Sequence, residues 1–277
     1  MSPPDIALLA RIAANAVAVG RRGRQDTGVG PFRAFLSVSS RDYFMSFAVP
    51  APPGAATTIG WAADDWARPI TALVDHFSGR CRTCRLEFFA ELHPRLAVAL
   101  AAAGLSQDKS APAMAVTPAC LRPRPPGRDM TMRLLRPGDT VAIKRFMAVQ
   151  SEGFGVDIDT GPNGWRPILE AGLSDGTMIA ALGQVDGRAC CGAVIMIGGG
   201  AAELAGVSTV PAYRRRGLAA DLCSRLLARY FDGSDAPAWL SADGEIAEEL
   251  YGELGFRTVG LQLNYGVLRD ADGGRKP

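Results

Sequence analysis

The run Glu203–Leu227, ELAGVSTVPAYRRRGLAADLCSRLL, holds the densest chemistry in the chain. A strand-like stretch ends near Pro211, a turn carries Arg214, Arg215, Arg216 and Gly217, and an amphipathic helix follows. The first N–H groups of a helix lack intrahelical acceptors, and the positive end of the helix dipole lies behind them. Such a junction is an anion site. Gly217 lets a phosphate approach the backbone closely, and Ala219 stays small for the same reason. Three arginines in a row are often only a solvated surface run. Their place at a strand-to-helix junction, beside a glycine, favours a bound anion. A pyrophosphate fits this turn. The loop has no GK[ST] and no GxGxxG, which speaks against a nucleoside triphosphate or NAD.

Two groups near this turn in sequence could move protons. Glu203 begins the strand that leads into it, and a carboxylate there could take a proton directly or through water. The alternative is an ordinary strand-edge charge. Tyr251 lies one turn from Ala247 on a later helix, beside an apolar stripe, where a packing tyrosine is also common. His93 precedes Pro94 at an expected helix start and reads as structural. His93 and His76 are the only two histidines. Cys81 and Cys84 form a CxxC, but no second ligand pair accompanies them, so no metal is expected. The other cysteines, Cys120, Cys190, Cys191 and Cys223, are expected to pack as small hydrophobes.

The surrounding pattern must position these residues. In the second half, strands are expected at Thr131–Leu135, Thr177–Gln184, Ala189–Ile197 and Glu203–Thr209. Helices are expected from the Asp139 cap to about Glu152 and near Gly164–Leu173. Asp186-Gly187 is a hairpin signal and Gly198–Gly200 a turn. A helix over Gly217–Phe231 buries Leu218, Leu222, Leu226 and Tyr230, with Ala219, Cys223 and Leu227 beside them and Asp221, Arg225 and Arg229 on other faces. A short strand at Ala238–Ser241 follows. A helix over Ile246–Leu254 should turn Ile246, Leu250 and Leu254 inward, with Gly255 as its terminating glycine. A strand over Phe256–Leu268 ends the order. The class is α/β with a mixed sheet.

The first half repeats the order faintly. An opening amphipathic helix begins after Ser2, Pro3 and Pro4. Then come a strand at Asp42–Val49, a helix at Asp64–Phe77, a strand at Arg85–Ala90, a helix at His93–Ala103 closed by Gly104, and a strand at Met114–Thr117. An internal pseudo-repeat is expected. The proline-rich run Thr117–Arg128 reads as a connector. The expected boundaries are a first domain at 1–120, a linker at 121–129 and a second domain at 130–270. The chain has 277 residues, which suits two domains, and 48% of them are apolar. A formal charge of +2 argues against binding nucleic acid or a membrane by charge alone. No run resembles a spanning helix or a secretory signal, so a cytoplasmic protein is expected.

TVPAYRRRGLA resembles the acetyl-CoA loop of the GNAT superfamily of N-acetyltransferases, [Q/R]-x-x-G-x-[G/A] after a strand. AEELYGELGF, Ala247–Phe256, resembles that family's second motif, A-x-x-L-Y-x-x-x-G-F, and one strand separates the two motifs. The close match covers Glu203–Phe256. The resemblance implies two GNAT-like units in tandem, the second complete and the first degenerate, since the first lacks an R-x-x-G-x-[G/A] turn. It implies acetyl-CoA as acyl donor, with no metal. Val207, Ser208 and Thr209 would offer backbone groups to the pantetheine arm. Arg214, Arg215, Arg216, Gly217, Leu218, Ala219 and Ala220 would wrap the pyrophosphate. Tyr251 would protonate the leaving sulfur, and Glu203 is the candidate base. One departure is Gly244, where the family often has an asparagine; Ser241 or Asp243 would have to replace that contact. The expected activity moves an acetyl or short acyl group from CoA to an amine of a small molecule. The alternative is an acyl-CoA sensor or scaffold without turnover. The acceptor segment is expected around Phe154–Pro167 and part of the first half; Asp157 and Asp159 would attract a cationic amine there or are ordinary solvated loop acids.

Overall fold

The computed structural model describes residues 5–38, 43–51, 66–125, 130–158 and 164–267. The elements run α1 (Ile6–Gly20), β1 (Arg24–Val29), β2 (Phe32–Ser37), β3 (Phe47–Pro50), α2 (Ala67–Ser78), β4 (Arg85–Phe89), α3 (Leu96–Ala102) and β5 (Ser106–Val116). They continue β6 (Thr131–Leu134), α4 (Thr140–Phe154), α5 (Arg166–Ser174), β7 (Met178–Val185), β8 (Arg188–Gly198), β9 (Ala201–Thr209), α6 (Leu218–Phe231), β10 (Ala238–Ser241), α7 (Glu245–Glu253) and β11 (Arg257–Gly266). The fold is mixed α/β. Two compact units divide the chain: Met1–Ala113 with Val259–Pro277, and Met114–Thr258. This division differs from boundaries at 1–120, 121–129 and 130–270 in where the last strand goes. β11 pairs antiparallel with β4, from Gln262↔Phe89 to Gly266↔Arg85. Its Leu263 and Tyr265 enter the core that holds Phe32, Ile70, Leu86 and Leu100. Among the described residues no helix is long and apolar enough to cross a membrane.

In the first unit the strand order is β1-β2-β3-β4-β11-β5. The β1/β2 hairpin was not foreseen from sequence. Its first strand, RQDTGV, is polar and has no buried residue, so it carries no alternation signal. α1 begins at Asp5, whose carboxylate accepts from the Leu8 N–H at 3.0 Å; Ser2–Pro4 lie outside the described residues. A 3-10 turn at Tyr43–Met45 occupies the front of the expected strand, which is confined to Phe47–Pro50. Residues 52–65, including the expected helix start at Asp64, lie outside the described ones.

In the second unit the order is β10-β9-β8-β7-β6. β6 to β9 form an antiparallel meander, and β9 then pairs parallel with β10. Asp186 (φ 49°) and Gly187 (φ 72°) both sit in the left-handed region, as a two-residue hairpin turn requires. α6 covers one face of this sheet, placing Leu222, Cys223, Leu226 and Leu227 at 0% exposure against Ala193, Ile195 and Leu204. Burial of each leucine contributes about 1.5–3 kcal/mol. α4 and α5 cover the other face through Ile143, Phe146, Met147 and Leu169. Each unit shows the same sequence of parts: antiparallel strands, a short parallel pair split by a helix, and a second helix before the next strand.

Three expectations fail in the second unit. Ile246 is 80% exposed and does not turn inward. The inward stripe of α7 is Ala247, Leu250, Tyr251 and Leu254, a phase shift of one residue that Leu250 and Leu254 alone could not distinguish. Asp221 is buried and faces Arg225 at 3.9 Å. Cys120 is exposed, because a 3-10 turn at Pro118–Cys120 carries it on the surface. Cys190, Cys191 and Cys223 are buried as expected.

The proline-rich connector is pinned within its unit up to Arg124. The Arg122 N–H donates to Leu254 O (3.0 Å), and Arg124 pairs with Glu253 at 2.7 Å. Gly255 makes this possible. It has φ +97°, and a Cβ there would overlap the Cys120 carbonyl. Gly255→Ala should therefore destabilise the second unit by at least about 2 kcal/mol, from strain plus overlap. Denaturant unfolding of the intact chain measures this; an unchanged midpoint would refute the packing described.

Candidate functional site

β9 and β10 pair in register only at Ala202↔Ala238 and Glu203↔Trp239. β9 nevertheless runs on to Thr209 and β10 to Ser241. The two parallel strands therefore part after Glu203, and a gap opens along the β10-facing edge of Leu204–Thr209. Glu203, half-buried, stands at the fork. Alternation along β9 sets the faces. Ala202 and Leu204 belong to the α6 side core with Tyr251, and Val207 packs against it. Glu203, between them, faces the α4 side, where Ala205 packs. Glu203 and Tyr251 thus address the gap from opposite faces of the sheet.

A bulge interrupts β9. Val194 pairs with Ala205 but Gly192 pairs with Ser208, so Ala193 alone opposes Gly206 and Val207. Gly206 has φ +57°. Just beyond, Ser208 is 4% exposed and its hydroxyl has no hydrogen-bond partner among the described residues. Its side chain lies against Gly153 at the end of α4, so it is the backbone of β9 that faces the gap.

The turn after β9 starts with Pro211 in a 3-10 turn, Pro211–Tyr213. Arg215 (φ 60°) and Gly217 (φ 73°) are both left-handed, which folds the backbone into a concave rim before Leu218. Gly217 is the α6 N-cap and has no side chain to cap the helix. The N–H groups of Leu218, Ala219 and Ala220 therefore face outward without intrahelical acceptors. A Cβ at Gly217 would meet nothing within 4 Å, so the space over it is open. Pro211, Ala212 and Arg214–Gly217 are exposed. These features fit a pyrophosphate.

The three arginines differ in their contacts. Arg214 Nη2 donates to Gly153 O (2.7 Å) and its Nε to Thr209 O (3.1 Å), strapping the end of α4 to the end of β9. Arg216 lies over the Tyr213 ring at 5.5 Å. Arg215 sits at the left-handed corner. The arginine run is thus partly a structural strap, which sequence spacing did not reveal.

Tyr251 is 8% exposed, with its ring edge-on to Phe256 at 5.6 Å. Burial, with a smaller contribution from nearby Cys223, pushes its phenol far above the ordinary range. It is neutral at physiological pH and can donate a hydrogen bond. Burial likewise pushes the Cys223 thiol up to about 12. Gly244 (φ 86°, ψ 167°) occupies a backbone region open essentially to glycine alone, which accounts for the absent asparagine. Asp243 is exposed and Ser241 half-buried beside it. His93, far along the chain in the first unit, has its pKa lowered by burial. Asp159 lies outside the described residues.

Residues 161–256 match the acetyltransferase (GNAT) family. That family transfers an acyl group from acyl-CoA, and the match spans both motifs and the gap between them. No curated protein matches the sequence. Among solved structures, a GCN5-related N-acetyltransferase from Kribbella flavida is similar at 23% identity and TM-score 0.75, covering 93% of this chain and 95% of that one. A GCN5-related N-acetyltransferase from Sphaerobacter thermophilus is similar at 18% identity and TM-score 0.64, covering 95% and 91%. A tandem GNAT protein from the clavulanic acid biosynthesis pathway is similar at 12% identity and TM-score 0.59, covering 94% and 92%. At these identities the likeness is one of fold. Among the described residues no group of three or more His, Cys, Asp or Glu could hold a metal ion.

Proposed function

We propose that the second unit binds acetyl-CoA, or a short acyl-CoA, along β9 and transfers the acyl group to an amine of a small molecule. On this reading the chain is two GNAT-like units in tandem, and only the second holds the donor. The observation that carries the reading is the path from the fork at Glu203, along the β10-facing edge of β9, to the open Gly217 rim at the uncapped start of α6. Val207, Ser208 and Thr209 would hold the pantetheine arm by backbone groups. Arg215, Arg216, Gly217, Leu218, Ala219 and Ala220 would hold the pyrophosphate, with Arg214 bracing the turn.

Acetyl-CoA supplies an activated thioester carbon. Glu203 takes a proton from the attacking ammonium, directly or through one water, because an ammonium has no lone pair. The amine nitrogen bonds to the thioester carbon as the C=O π pair moves onto the oxygen, where backbone N–H groups of β9 stabilise the negative charge. The oxyanion then collapses and the C–S bond breaks; Tyr251, held neutral by burial, gives its proton to the departing sulfur from the opposite face, and the second amine proton leaves through water, which reprotonates Tyr251. Phe154 and Val156, 52% and 57% exposed, and Asp157 flank the α4 end of the gap, a rim suited to an amine with an apolar body. Incubation with acetyl-CoA and a panel of primary amines tests this. The expected result is amine-dependent release of CoA thiol, with the acylated amine seen by mass. Tight acetyl-CoA binding with no amine accelerating release would instead favour a sensor.

A further inference from the structure

Gln150 lies on the inward face of α4 and is 2% exposed. Its Nε2 donates to Gly206 O at 2.7 Å, the carbonyl that the β9 bulge frees from the ladder. The sheet beneath is cut away to admit it. A Cβ at Gly192 of β8 would lie 2.8 Å from Gln150 Nε2, and one at Gly206 would lie 3.2 Å from Gln150 Oε1. Two glycines on adjacent strands therefore leave the slot that one buried amide fills. None of the described peptide bonds is cis. In a trans peptide the C=O and the next N–H point in opposite directions. Holding Gly206 O toward α4 thus aims the Val207 N–H away from α4, toward the side that Leu204, Val207 and Tyr251 share.

We infer that Gln150 is a positioning residue that fixes the Gly206–Val207 peptide, and so directs the Val207 N–H as a hydrogen-bond donor to the acyl carbonyl oxygen. The inference rests on the proposed acyl-CoA reading of the gap. Gln150 touches neither donor nor acceptor; it acts through Gly206. A leucine at 150 fills the same slot but donates nothing, so the peptide is free to turn over.

The test is infrared difference spectroscopy of acetyl-CoA carrying ¹³C at the thioester carbonyl, bound to the intact chain. In the wild type the carbonyl band should shift to lower frequency on binding. In Gln150→Leu the shift should be lost while the calorimetric affinity for acetyl-CoA is kept, because the Gly217 rim is untouched. With any amine that the wild type accepts, kcat should fall at least about tenfold, as when a backbone-type oxyanion donor is lost. If leucine prevents folding, Gln150→Met serves as the second variant. A variant that merely melts at lower temperature and retains the full band shift would overturn the positioning role while leaving the acyl-CoA reading intact. A wild type that binds acetyl-CoA with no band shift would also overturn it. A wild type that binds no acetyl-CoA would overturn the reading beneath it.

Discussion

Gly217→Glu is expected to abolish measurable acetyl-CoA binding while leaving the second unit folded. Two effects add. The glutamate puts a side chain and a negative charge where the pyrophosphate must approach the N–H groups of Leu218, Ala219 and Ala220, and like charges at contact distance repel by several kcal/mol in a partly desolvated site. A non-glycine residue at φ +73° also strains the rim. The fold tolerates the change, because a Cβ at this position meets nothing within 4 Å. The strain, about 1–2 kcal/mol, is a fraction of the stability of an ordinary domain. Affinity should fall at least about 100-fold, equivalent to about 2.7 kcal/mol. Calorimetry checks the binding and circular dichroism the fold. Unchanged affinity would mean that the anion site lies elsewhere.

Tyr251→Phe should lower kcat by about 100-fold and leave acetyl-CoA affinity unchanged. Phenylalanine fills the same space against Phe256 and Leu254, so only the hydroxyl is lost. A second measurement tests the burial of the phenol. Burial raises the folded-state pKa of this phenol above its ordinary value of 10.0. The unfolded chain therefore releases the proton first as pH rises. The stability tied to the neutral phenol is fully present below pH 10.0 and is lost as pH climbs from there toward the folded value. The phenylalanine variant should lose less stability than the wild type in that alkaline window. Equal kcat in the two proteins would remove Tyr251 from the chemistry.

The parts of the site written in consecutive residues were legible in the sequence. Arg214-x-x-Gly217-x-Ala219 at the end of a strand defines its own geometry, because helix N-termini and left-handed glycines behave alike wherever they occur. Asp186-Gly187, the Asp139 cap and Gly255 were legible for the same reason: each constraint is local. The misses depended on distant partners. Gln150 reads as one polar residue in α4, and only folding brings it to the Gly206 carbonyl at 2.7 Å. The β9 bulge follows from how Gly192, Val194, Ala205 and Ser208 register across two strands, which no single strand states. The bonds from Arg214 to Gly153 O and Thr209 O likewise join residues that are apart in sequence. Ile246 was misread because a nine-residue helix offers too few turns to fix the phase of its apolar stripe. β11 was assigned by its neighbours in sequence, while its pairing with β4 and the burial of Leu263 and Tyr265 belong to the other unit.

Calorimetric titration of acetyl-CoA into the wild-type chain is the deciding measurement. One site per chain in the micromolar range, lost in Gly217→Glu, is the result expected if β9 and the start of α6 hold the acyl donor. No heat with the wild type, or two equivalent sites per chain, would contradict a single donor site in the second unit.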